Sequence, residues 1–192
     1  MPANWKPSLI SRRGRGLIAL VALLISGTPI NASAQQFDWE FDPEAIRALQ
    51  EAATQTAAPL LRNAILQSRT EAIRAGVQPI PAPIRQALRG FYPEALLDRV
   101  RYRVGGGSDQ SLQLNVIRYG ERAAITLDEV VVFASDADAR GNVELWVHEL
   151  WHVKQFQEWT ADGFALRYAQ DYRVVEAEAE AAAARYLATR KR

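Results

Sequence analysis

Asn142-Val143-Glu144-Leu145-Trp146-Val147-His148-Glu149-Leu150-Trp151-His152-Val153-Lys154-Gln155-Phe156 is the stretch on which the reading of this chain turns. Val143, Trp146, Val147, Leu150, Val153 and Phe156 recur at the spacing of one helical face. Asn142 suits an N-cap, because its side-chain oxygen can accept from an orphan amide of the first turn. Glu144 then lies at the positive end of the helix dipole. The spacing predicts a helix from 143 to about 159, ended by Asp162-Gly163. Within it, His148-Glu149-Leu150-Trp151-His152 reads H-E-x-x-H. Histidines four apart stand one above the other on one helical face, so both imidazoles can reach one tetrahedral ion. Glu149 falls beside that ion rather than among its ligands, where a carboxylate can take a proton from a metal-activated water.

Composition sharpens this. The chain has 192 residues, two histidines and no cysteine. Thiolate metal sites and a cysteine nucleophile are excluded, and any ion must be held by His, Asp or Glu. A catalytic zinc site needs a third protein ligand and an open position. With both histidines used, that ligand is an acid, and Val175-Glu176-Ala177-Glu178-Ala179-Glu180 is the best source. On a helix Glu176 and Glu180 share a face and Glu178 points nearly opposite. Glu176 is therefore assigned as ligand, and Glu180 as an acceptor that fixes a ligand histidine's tautomer. The competing explanations are a chance histidine pair on a surface helix and a solvated acidic face. Tyr168 and Tyr172 are candidates to stabilise an oxyanion, as is Arg173, although each also suits packing, surface exposure or a local ion pair.

Working outward, 172–189 reads as a last helix rich in alanine and glutamate. Before the motif, 99–104 and 112–116 alternate as strands, and 123–127 and 130–133 are β-rich runs separated by Asp128-Glu129, a tight turn. Val130-Val131-Val132-Phe133 is either a buried strand or an edge that offers its backbone to an extended peptide. Gly105-Gly106-Gly107 is a loop, 79–83 a stiff proline-rich connector and 84–91 a short helix. Asp42-Pro43 opens a helical stretch, Pro59 is expected to divide it in two, and Gly76 closes it. The fold class expected is α+β, zincin-like: a small antiparallel sheet packed on an active-site helix and a C-terminal helix, with an N-terminal helical segment.

The start of the chain reads as a leader. Arg12, Arg13 and Arg15 precede the apolar run 17–25, and Ala32-Ser33-Ala34 follows. That order is a secretory signal peptide with an A-x-A cleavage site, and the run is short for a membrane span. The organisation expected is 1–34 signal peptide, 35–78 N-terminal helical segment and 79–192 metallopeptidase domain. The leader carries Lys6 and the three arginines and no acid, so a chain with a net charge of +1 becomes weakly acidic without it. A basic face for nucleic acid is not expected.

From 80 to 184 the sequence resembles a known family, the extracellular contractile injection system core domain, a gluzincin-like zincin. The resemblance rests on PAPIRQALRGFYPEALLDRVRYRVGG, AITLDEVVVF, VHELWHVKQF and VEAEAEAAA. It implies that His148, Glu149 and His152 are site residues, that Gln155 is the glutamine following the motif, and that Glu176 and Glu178 are the first two glutamates of the last helix. Glu180 stands where the family usually has Asp, and Trp151 where it has a smaller residue. The expectation is an exported, periplasmic or secreted zinc peptidase acting on a peptide or protein, touching membrane only through its leader. The alternatives are a zinc-binding module for partner binding or assembly without useful catalysis, and a helical scaffold.

Overall fold

The structure, a computed structural model, describes residues 43–105 and 123–190. The leader, Asp42, Gly106, Gly107 and the expected strand 112–116 lie outside the described residues. The described residues belong to one compact unit, Phe41–Arg192.

Helix α1 (Pro43–Arg74) runs unbroken through Pro59, contrary to the expected division there. Proline at 59 removes the amide that would bond the Gln55 carbonyl. Both residues are exposed, so water can satisfy that carbonyl. Buried Ala58, Ile65, Ser68 and Ala72 hold the helix down on either side of the defect. Gly76, at φ 95°, ends it, a backbone angle that costs glycine nothing.

Among the described residues, four short strands follow between the helices. β1 (Gln78–Pro79) precedes α2 (Ala82–Leu88) and α3 (Glu94–Arg99). β2 (Arg101–Val104), β3 (Ala124–Leu127) and β4 (Val130–Phe133) complete the sheet in the order β1-β2-β4-β3. The connector at 79 thus begins as a strand at one end of the sheet, and α3 takes Arg99 from the strand expected at 99–104. The sheet is mixed, not antiparallel: β4 pairs antiparallel with β3 but parallel with β2, Tyr102 opposite Val131. The reason is burial. All four residues of β4 are buried, and a run apolar on both faces belongs in the middle of a sheet. The turn at Asp128 (φ 61°) then folds β3 back outside it. Val130–Phe133 is therefore a central strand, and among the described residues β3 lies outermost on its side.

The two faces of β4 feed two apolar clusters. Val131 and Phe133 pack with Tyr102, Trp146, Val147 and Leu150, while Val130 and Val132 pack with Ile65, Ala72, Phe156 and Val175. Each buried side chain of this size contributes about 1.5–3 kcal/mol.

After α4 (Asp136–Gly141), capped by Ser135, comes α5 (Val143–Arg190). Asn142 caps it as expected, Oδ1 accepting from the Leu145 amide at 3.0 Å. The helix breaks at Thr160 (φ 63°, ψ 170°) and Asp171 (φ −158°, ψ 90°), leaving segments 143–159, 161–170 and 172–190. Each break restarts a helix with a side-chain acceptor: Thr160 Oγ1 for the Gly163 amide at 3.4 Å, Asp171 Oδ1 for the Arg173 amide at 3.1 Å. The first segment ends at Thr160 rather than at Asp162-Gly163. The connector 161–170 is itself helical, and it returns the third segment to the first.

Candidate metal centre

That return brings Glu176 onto the histidine pair. The Nε2 atoms of His148 and His152 lie 3.2 Å apart. Glu176 Oε2 is 3.4 Å from His148 Nε2 and 3.8 Å from His152 Nε2. A tetrahedral ion with bonds of about 2.0–2.1 Å needs its ligand atoms about 3.3 Å apart. The three donors already stand near three such corners, so His148, His152 and Glu176 can hold a metal ion. Two imidazoles and a carboxylate form a donor set open to several divalent transition ions.

His152 is buried beside two carboxylates, Glu149 and Glu176. Burial pushes the His152 pKa down, but a hydrogen bond to Glu176 and the charges of Glu149 and Glu176, with the Gln155 contact, outweigh it and raise the pKa.

Further side chains fix the ligands. The Tyr168 hydroxyl donates to Glu176 Oε1 at 2.9 Å, leaving Oε2 toward the histidines. Tyr168 is thus at the site as a holder of the carboxylate. Tyr172 is half-buried with its ring 6.1 Å from that of Tyr168. Arg173 turns to Asp171, at 2.8 and 3.0 Å. The Gln155 amide meets His152 Nδ1 at 2.8 Å and donates to Glu178 Oε2 at 2.9 Å. Here the helical-wheel assignment needs correcting. Glu180 is exposed and, among the described residues, makes no hydrogen bond to either histidine, whereas Glu178 reaches the site's outer layer. Gln155 protrudes from the first segment far enough to meet a residue on the flank of the third, a reach that a wheel of one helix does not contain.

Glu149 is 4% exposed, and its Oε2 accepts from the Thr126 hydroxyl at 2.7 Å. Thr126 lies on β3 and is itself buried. Sequence reasoning did not single it out, although it lies in the stretch AITLDEVVVF that carries part of the resemblance. Phe164, from the middle segment, sets its ring 6.0 Å from His152. Sequence reasoning did not single out that residue.

Residues 79–160 match the family model of the eCIS core domain. The match takes in His148, Glu149, His152, Gln155 and Thr126 and stops before Glu176. No curated protein and no solved structure matches the chain.

Proposed function

We propose that this chain is a zinc-dependent peptidase with a zincin-like fold, exported by a signal peptide and acting on peptide or protein outside the cytoplasm. The observation that carries the reading is the convergence of His148, His152 and Glu176 beside a buried Glu149. His148 and His152 would hold zinc through Nε2, and Glu176 through Oε2. Bound there, zinc supplies Lewis acidity, which polarises a peptide carbonyl and lowers the pKa of a water. Glu149 accepts the proton of the attacking water and passes it to the leaving amine. Thr126 occupies one of its oxygens and orients the other. Tyr168 keeps the Glu176 carboxylate turned so that one oxygen remains for the ion.

The test pairs metal analysis with hydrolysis of a broad peptide library. Wild type is expected to bind about one zinc per chain, and His148→Ala or His152→Ala to lose it. Glu149→Gln keeps size and hydrogen bonding but removes the basic oxygen. It should keep its zinc and lose hydrolysis by at least about 100-fold. Zinc binding without any cleavage by wild type would favour a binding or assembly module instead. Full zinc occupancy in the double histidine variant would remove the basis of both readings. The mass of the exported protein tests the leader, with cleavage expected after Ala34.

A further inference from the structure

Gln155 is 1% exposed and lies three residues beyond His152 on the same helical segment. A buried amide can usually be turned either way round. This one cannot, because its Nε2 faces the Val175 carbonyl at 3.3 Å and Glu178 Oε2 at 2.9 Å. A backbone carbonyl only accepts, so the NH2 end must point there. Oε1 is then the atom that meets His152 Nδ1 at 2.8 Å. A carbonyl oxygen has no proton to give, so Nδ1 must carry one. In neutral imidazole that leaves the lone pair on Nε2, the atom that faces His148 and Glu176.

We propose that Gln155 is a positioning residue for the metal centre: it selects the Nδ1–H tautomer of His152 and, through Val175 and Glu178, ties the third segment of α5 to that choice. The inference rests on the metal-binding part of the proposed function and not on catalysis. It gives the exposed Glu178 a task that the register of its own helix does not suggest. It also explains why a glutamine stands here: a carboxylate could accept from His152 but could not donate to Val175 and Glu178.

Two measurements test this. The first is the ring 15N signature of His152 in metal-free wild type at alkaline pH, where imidazole is neutral. Protonation at Nδ1 is expected; protonation at Nε2 overturns the proposal and needs no variant to fold. The second is zinc affinity by competition with a chromophoric chelator, together with the visible spectrum of the cobalt(II) form. Gln155→Ala should bind zinc about 10- to 100-fold more weakly, the usual effect of losing such a partner, and should show an altered cobalt spectrum. Glu178→Ala, at an exposed position, should weaken binding in the same direction by less. Wild-type affinity in Gln155→Ala would overturn the proposal while leaving the metal site intact. Zinc retained without both histidines would instead overturn the metal reading, and neither result depends on whether the protein cleaves anything.

Discussion

At the scale of single residues, the candidate site depends on carboxylates each held by one oxygen. Glu176 gives Oε1 to Tyr168 and keeps Oε2 for the histidines. Glu149 gives Oε2 to Thr126 in a pocket almost closed to solvent. Thr126→Val keeps the shape of the side chain and deletes the donor. The buried carboxylate then lacks a partner, so denaturation by urea should show a loss of about 1–3 kcal/mol. Thr126→Ser should recover most of it. A valine variant as stable as wild type would mean that the bond contributes nothing in solution. The motif's two histidines and glutamate were legible because the spacing of one helix brings them together. Thr126 was not, because its partner lies 23 positions away and only strand β3 delivers it.

Elements behave less simply than their sequences suggest. Pro59 breaks a helical ladder locally without ending α1, so the defect persists as a cost rather than a boundary. Proline in a helix interior is worse than alanine by about 3 kcal/mol. Since the position is exposed, Pro59→Ala should raise stability by about 1–3 kcal/mol, read from the shift in the denaturation midpoint. The β3–β4 turn offers a second test. Arg69 of α1 binds both oxygens of Glu129, one at 2.8 Å. Burial pushes the Glu129 pKa up, but the Arg69 hydrogen bonds and charge outweigh it and lower it, while burial and the Glu129 charge raise that of Asp128.

A lowered carboxylate pKa means that the folded state favours the charged form. Its stabilisation is full above the unfolded pKa and fades as pH falls through the folded one. Raised Asp128 has the opposite sign and is relieved by acid. Glu129→Gln should therefore cost about 1 kcal/mol or less near neutrality, given the partial exposure of the pair. The gap to wild type should close as pH drops below the carboxylate range. A gap that is constant with pH would show that the ion pair is not its source.

For the molecule as a whole, the question is what α1 does. Ile65 and Ala72 are buried in the cluster formed by Val130, Val132, Phe156 and Val175. That cluster backs the segment of α5 that carries His152 and Gln155 and the segment that carries Glu176. Ile65 is 4% exposed, so Ile65→Ala should cost about 2–5 kcal/mol in denaturation experiments. A loss well under that range would mean that α1 merely rests on the sheet. Among the described residues, no helix is long and apolar enough to cross a membrane.

The sequence by itself determined the helix that starts at Asn142, its H-E-x-x-H face, the hairpin turn at Asp128-Glu129 and the choice of Glu176 over its neighbours as the carboxylate for the histidines. Each of these follows from local spacing, capping or turn chemistry, which act within a few residues. Only the tertiary structure decided that β4 enters the sheet parallel to β2, that 161–170 is a helix, and that Glu178 meets Gln155. Strand order depends on which surfaces are buried on both sides, and burial is a property of the assembled chain. The approach of segment 172–190 to segment 143–159 is set by the backbone angles at Thr160 and Asp171. Those breaks fold one segment back on another, so which glutamate of the third segment meets Gln155 depends on how two segments pack and not on the register of one.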